Sequence, residues 1–295
     1  MTKQRRQPTI FKTEAGRERF LAAYDETMKL WNVPYETFEI ETEYGDCHII
    51  ASGPHDAPPV VLFHGMTGNS SLWYETVAAL QSFRTYCIDA PGDLGKSRVK
   101  RLIKTPQDAV AWIDQVLDRL GLASAHFIGH SMGGWLSATY VLARPERVRR
   151  LALVAPVATF LPVPFWKLLR YIYPALLRPS PERIRKAWSI FAASGYVYPA
   201  AVMDMIICAY THCRPLLPVI PRVYPASAWN AVRHPVLFLV GDEESIYDAK
   251  RAAARISAAL PQAIVSIVPG AGHVLTVERP ETVGRELTAF LGAAD

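Results

Sequence analysis

Six short apolar runs constrain this chain more than any other feature: PVVLFHG, RTYCIDA, AHFIGHS, RLALVAP, PVLFLVG and AIVSIVP. Each is the length of a strand buried on both faces. Stretches with a helical period, such as PQDAVAWIDQVLDRLGL and YDAKRAAARISAAL, lie between them. Strand and helix in alternation predict a doubly wound, mostly parallel sheet with helices on both faces, an α/β fold. Two runs before this series differ. YETFEIET alternates polar and apolar residues, and CHIIAS follows a Tyr-Gly turn, so this opening pair reads as antiparallel. Ahead of it, Phe20, Leu21, Tyr24, Met28 and Leu30 have helical spacing, which makes residues 1–34 an N-terminal helical segment.

One segment breaks the alternation. From Pro156 to about Pro225 the chain is crowded with proline and aromatic residues, and no clean strand appears. Residues 156–225 are therefore expected to form a helical cap over a core made of residues 35–155 and 226–295. A chain of 295 residues suits one α/β domain carrying such an insertion. The apolar and aromatic residues of this segment, Phe160, Phe165, Trp166, Leu169, Tyr171, Tyr173, Trp188, Phe191, Tyr196 and Tyr198, are expected to line an apolar pocket. Two alternatives stand beside that reading: the aromatics only pack the insertion onto the sheet, or Trp166, Lys167 and Arg170 lie on a membrane-facing helix.

Charge and cysteine content narrow the class. A net charge of +5 is modest and spread out, and the cluster Lys3, Arg5 and Arg6 reads as a solvated tail rather than a nucleic-acid arm. No apolar run follows that cluster as a signal peptide requires, and none reaches the ~18 residues of a membrane span. Cys47, Cys87, Cys208 and Cys213 lack zinc-ligand spacing, and Cys87 sits in an apolar run. The expectation is a cytoplasmic protein with reduced thiols, no metal, no cofactor, no nucleic acid and no stable membrane insertion; homo-oligomerisation stays open.

Chemistry enters at FIGHSMGGW, which holds Gly129-x-Ser131-x-Gly133 between a strand and a helix. A serine on so sharp a turn is lifted above the sheet edge, and side chains two positions away would collide, hence the glycines. The turn aims the Met132 amide at any oxygen held near Ser131. Serine needs a base to become a nucleophile. His273, in the glycine-flexible loop of VPGAGHVLTVERP, has the place in chain order that the base requires. His64 and His130 sit inside motifs and read as structural. LFHGMTGNS follows a buried strand, and the Met66 amide is the candidate second oxyanion donor. APGDLGKS ends like a phosphate-binding loop, but position 90 is Ala90 where that loop needs glycine, so nucleotide binding is rejected.

HGMTG, DAPGDLGKS, GHSMGGW, LVGDEESIYD and GAGHVLTVERP together resemble the α/β-hydrolase superfamily from about residue 35 to the end, and within it bacterial serine carboxylesterases. The resemblance implies an α/β-hydrolase fold and a Ser-acid-His triad with the acid three residues after the strand-ending Gly241. That position is Glu244, where aspartate is usual; Asp242 and Asp248 remain alternatives. The implied activity is cleavage of a small-molecule carboxylic ester of an apolar or aromatic acid or alcohol, through an acyl-enzyme. Lactonase, thioesterase and carbon–carbon bond hydrolase activities fit the same triad, and a slow-turnover receptor or a perhydrolase is a more distant alternative.

Overall fold

The structure is a computed structural model that describes residues 8–293, apart from the side chains at 165, 167–169 and 171. Lys3, Arg5 and Arg6, and the side chains of Phe165, Lys167, Leu169 and Tyr171, lie outside the described residues.

Among the described residues nine strands form one sheet: β1 (Tyr35–Glu41), β2 (Gly45–Ser52), β3 (Pro59–Phe63), β4 (Arg84–Ile88), β5 (Arg98–Val99), β6 (Ala125–His130), β7 (Val148–Val154), β8 (Val236–Gly241) and β9 (Ile264–Val268). The helices are α1 (Glu14–Met28), α2 (Tyr74–Ala79), α3 (Pro106–Arg119), α4 (Met132–Ala143), α5 (Phe165–Leu177), α6 (Pro181–Ser189), α7 (Ala200–His212), α8 (Ala249–Ala259), α9 (Leu275–Glu278) and α10 (Pro280–Gly292). The strand order is β1-β2-β4-β3-β6-β7-β8-β9. From β4 to β9 every neighbouring pair is parallel, whereas β2 is antiparallel to β1, β4 and β5. The six apolar runs thus supply the parallel part, and the alternating pair supplies the antiparallel edge. β5 is too short for any periodicity to reveal.

The two-residue period of a strand divides the core into two layers. In β3, Val61 and Phe63 join the layer holding Trp112 of α3 and Trp135 of α4. Val60 and Leu62 join the opposite layer, with Phe20 and Tyr24 of α1 and Leu287 of α10. β8 repeats the division, with Val236, Phe238 and Val240 on the first side and Leu237 and Leu239 on the second. Trp112 is wholly enclosed, and its indole N–H donates to the Cys47 sulfur at 3.2 Å. The N-terminal helix belongs to this packing. Tyr24 donates its hydroxyl to the Asp89 carboxylate at 3.2 Å, and Thr27 Oγ1 donates to the Ala201 carbonyl of α7 at 3.2 Å.

Residues 165–212 carry α5, α6 and α7, between β7 and β8 in the chain. Pro181 takes the first turn of α6 and Pro199 the N-cap of α7, positions where a missing N–H costs nothing. Pro174 differs: it lies inside α5 rather than ending it. The helix survives for one further turn, with one fewer backbone donor. After α7 the chain runs without regular secondary structure through residues 214–225 and returns to the sheet. No helix among the described residues is long and apolar enough to cross a membrane.

Replacing Trp112 by alanine removes the largest filler between β3 and α3. Trp112→Ala is expected to lower the unfolding free energy by about 3–5 kcal/mol. Urea denaturation checks this, and a loss under about 1 kcal/mol would show that the layer collapses around the gap.

Candidate active site

The strand β6 ends at His130, α4 starts at Met132, and Ser131 between them has φ 55° and ψ −115°. A left-handed φ on a non-glycine residue is strained and persists only where neighbours over-determine it. Three backbone hydrogen bonds do so here. The Ser131 N–H donates to the Val154 carbonyl at 2.9 Å, and its carbonyl accepts from Trp135 and Val157, each at 3.2 Å. The flanking glycines answer to different neighbours. A Cβ on Gly129 would stand 2.2 Å from the Gly133 carbonyl oxygen, and one on Gly133 would stand 2.0 Å from that of Phe63.

The Ser131 hydroxyl lies 2.8 Å from His273 Nε2, and His273 Nδ1 lies 2.7 Å from Glu244 Oε2. A carboxylate accepts only, so Nδ1 carries the ring proton and Nε2 is left to accept from the serine. The Glu244 side chain is fully buried, and its second oxygen accepts from the Ile246 amide at 2.7 Å. The other acids of LVGDEESIYD point elsewhere. Asp242 accepts from the Ala271 amide at 3.3 Å, Glu243 from Ser194 at 2.8 Å, and Asp248 caps α8 by accepting from Arg251 at 2.9 Å. One acid therefore reaches His273, and the others fasten the loops around it. Their divergence also removes any common point at which a metal could sit.

Met132 and Met66, the expected oxyanion donors, sit in the segment that follows the serine and in the loop after β3. Met132 N–H belongs to the first turn of α4, where no intrahelical acceptor exists. Met66 sits in the loop after β3, which crosses directly over the serine: a Cβ on its neighbour Gly65 would stand 3.1 Å from the Ser131 Cβ. That loop is heavily braced. His64 Nε2 accepts from the Ala90 amide at 3.0 Å, so Nδ1 carries the proton and donates to the Gly65 carbonyl at 2.9 Å. Thr67 has a left-handed φ of 60°, and its N–H donates to both Asp93 oxygens at 2.9 and 3.1 Å. Burial pushes the Asp93 carboxyl up to about 6, a rise that the nearby His64 and the amides of Leu94 and Thr67 oppose.

Sequence reasoning missed a second set of braces, those on the histidine loop. The His273 and Val274 amides donate to the Phe191 carbonyl at 2.7 and 3.3 Å. Glu278 is buried, and its carboxylate accepts from Gly272 at 2.8 Å and from Ala193. Burial raises the Glu278 pKa against the lowering effect of those two amides. The connection between α6 and α7 and the histidine loop are thus one hydrogen-bonded unit. An acid at the end of a short helix gives no sequence signal for this role. His130 is the other brace. Its Nε2 donates to the His273 carbonyl at 2.8 Å, and burial, aided by His273, lowers its pKa to about 3.

A cavity of about 980 Å³ opens over Ser131 and His273. Trp73, Trp188, Phe191, Tyr198, Val202 and Val274 contribute to a mostly apolar wall, and Met66 and Tyr173 also line it. The insertion supplies much of that wall. Of the aromatics expected there, Tyr173, Trp188, Phe191 and Tyr198 line the cavity, whereas Phe160 packs in the core, stacked on Trp229 at 4.9 Å, and Trp166 is 60% exposed and stands outside the lining.

Residues 58–185 match the family model described as the alpha/beta hydrolase fold. The chain is 34% identical over 279 residues to carboxylesterase YbfK of Bacillus subtilis (strain 168), covering 92% of this chain and 93% of that protein. It is also 34% identical over 281 residues to the uncharacterized carboxylesterase nap of the same strain, covering 93% of each. The crystal structure of naproxen esterase (carboxylesterase NP) from Bacillus subtilis superposes with a TM-score of 0.89 at 32% identity, covering 95% of this chain and 100% of that one.

His130 sets an expected pH dependence. Its folded pKa lies below the ordinary histidine value, so between about pH 6.5 and 3 the unfolded chain binds a proton that the folded chain does not. Stability from this group is complete above pH 6.5 and is lost as pH falls through that window. Asp93, raised rather than lowered, acts in the opposite direction, so the comparison must be with a His130 variant. His130→Gln, which keeps an N–H for the His273 carbonyl, is expected to flatten the acid limb of stability by up to about 1.4 kcal/mol per pH unit. Denaturation midpoints from pH 4 to 8 check it; parallel curves would remove His130 as the source.

Proposed function

This chain belongs to the α/β-hydrolase family, and we propose that it hydrolyses carboxylic esters through an acyl-enzyme on Ser131. The observation that carries the reading is the unbroken hydrogen-bond chain from Ser131 through His273 to Glu244 at the base of an apolar cavity. Two relatives that share 34% of their residues with it over nearly their whole length bear the name carboxylesterase.

In this reading Ser131 Oγ attacks the ester carbonyl carbon while its proton passes to His273 Nε2. Glu244 holds the ring by Nδ1 and stabilises the positive charge that forms on it. The carbonyl oxygen becomes an oxyanion between the Met66 and Met132 amides. When the tetrahedral species collapses, the carbon–oxygen bond to the alcohol breaks and His273 returns the proton to the leaving oxygen. Water then repeats the sequence with the acyl carbon, which frees the acid and restores the serine. Glutamate in place of the usual aspartate works because the loop after Gly241 places the longer carboxylate within 2.7 Å of the ring.

The substrate class follows from the wall. Trp73, Trp188, Phe191 and Tyr198 offer area and few polar partners, which suits an ester with a bulky apolar or aromatic acyl or alcohol part. The name naproxen esterase, carried by a structure 32% identical to this chain, agrees with an aromatic acyl group. Residues 156–225 act as the cap, because α6, α7 and the irregular return cover the serine and supply much of this wall. The hydrogen bonds from His273 and Val274 to Phe191 tie the cap to the base.

A fluorophosphonate is expected to label Ser131 and abolish turnover of p-nitrophenyl esters. Mass spectrometry finding the adduct on Ser97 or Ser137 would remove the nucleophile. Glu244→Ala is expected to lower kcat about a thousandfold or more, with Asp242→Ala and Asp248→Ala far milder. An inactive Asp248→Ala beside a near-normal Glu244→Ala would reassign the acid.

Trp188→Ala should shift the ratio of kcat/KM for bulky aromatic over short aliphatic esters by about tenfold. An unchanged ratio with a lower Tm would make this tryptophan a packing residue alone.

A further inference from the structure

The cap concentrates positive charge beside exposed apolar surface. Between residues 156 and 225 stand eight lysines and arginines against two acids, Glu182 and Asp204, a net charge of +6. The whole chain carries +5, so the remaining residues together carry −1. No acid at all occurs from Val154 to Arg178.

Large apolar side chains face outward in the same region. Trp166, Tyr173 and Leu177 of α5 are 60%, 50% and 61% exposed. With the exposed Arg170 they occupy positions i, i+4, i+7 and i+11, which is one stripe along one face of the helix. On the opposite side Ala175 is buried, and Ile172 and Leu176 are partly buried and line the cavity. Tyr173, Met66 and Ile220 are each both exposed and part of the cavity lining, so they form the rim of its mouth. The exposed stripe of α5 is continuous with that rim through Tyr173. Isolated exposed apolar residues need no explanation; a row of them joined to the mouth of an apolar cavity does.

We propose that this face is a docking surface for anionic lipid, which seats the cavity mouth on the membrane–water interface. Trp166 and Leu177 would enter the headgroup boundary, while Arg170, Arg178 and the basic outer face of α6 meet the lipid charge. Charge decides between this occupant and a second copy of the chain. A two-fold contact would set this positive surface against itself, whereas an anionic bilayer is complementary to both its charge and its apolar stripe. Docking this way delivers a poorly soluble ester to Ser131 without passage through water. The surface is tested by binding alone, so its failure and that of the hydrolase reading are separate results.

The test is co-sedimentation of the full chain with vesicles of phosphatidylcholine alone and of phosphatidylcholine with about one-third phosphatidylglycerol. The expected result is partition onto the anionic vesicles only, weakening as NaCl rises from about 0.05 to 0.5 M. The double variant Trp166→Ser/Leu177→Ser should partition about tenfold or more less, with the parent Tm and the parent turnover of a short water-soluble ester. Arg170→Glu should weaken the same binding and make its loss with salt shallower. The proposal is overturned if the parent protein stays in the supernatant at low salt. It is equally overturned by salt-independent binding to neutral vesicles, or by a double variant that binds as the parent does. A concentration-dependent dimer that Trp166→Ser abolishes would assign the face to a second copy instead.

Discussion

The strained turn at Ser131 is the constraint on which the rest of the site depends. A left-handed serine costs about 1–3 kcal/mol, and the fold holds it by closing every alternative. Val154 takes its amide, Trp135 and Val157 share its carbonyl, and the backbone is so close-packed on either side that only glycine fits at 129 and 133. Once the hydroxyl stands above the sheet edge, every other group must come to it. The loop after β3 crosses over it, the histidine loop after β9 reaches it from the side, and Glu244 closes the line behind. Each arrives from the carboxyl end of a parallel strand, so the geometry is a property of the sheet before it is a property of any loop.

Loops that deliver reactive groups need bracing, and here the bracing is done with acids, Asp93 and Glu278 buried and Asp242 and Glu243 exposed, and with backbone amides. Asp93 holds the Met66 loop through Thr67. Glu278 and the Phe191 carbonyl hold the His273 loop. Asp242 and Glu243 tie the Glu244 loop to Ala271 and Ser194. A buried carboxylate is costly by itself, and amide donors offset that cost while also fixing direction. Two roles therefore share one residue type within a few positions, and they are told apart by partner rather than by identity. The acid that meets a ring nitrogen can stabilise charge; the acids that meet amides position the chain.

Residues 156–225 add a second division of labour. Their inner surface is aromatic and joined to the histidine loop by hydrogen bonds. They carry a net charge of +6 in a chain of +5, and their outer surface bears the apolar stripe of α5. The same helix thus presents apolar residues on both sides, Ile172 and Leu176 toward the cavity and Trp166 and Leu177 toward solvent. Burial alone would not select the second group, because leaving such side chains in water gains nothing.

Much of this was legible before any coordinates. The six apolar runs determine a parallel sheet, because only strands covered on both faces read as continuous apolar stretches. Alternation in YETFEIET marks the antiparallel edge for the converse reason. Gly129 and Gly133 around Ser131 report a turn that side chains would block, and His273 stands out by chain order and its glycine-rich loop. The acid was different: four carboxylates within seven positions are chemically alike in sequence, and the spacing that singles out Glu244 came from a resemblance. Only the tertiary structure decides which of them meets the imidazole, because that depends on how the loops after β8 and β9 lie against each other. The same holds for Glu278, whose partners Gly272 and Ala193 belong to different elements, and for β5, whose two residues are a strand only beside β2. Periodicity reports which side of an element is apolar. Which amide a buried acid meets, and which apolar stripe is left facing water, are settled by packing between segments far apart in the chain.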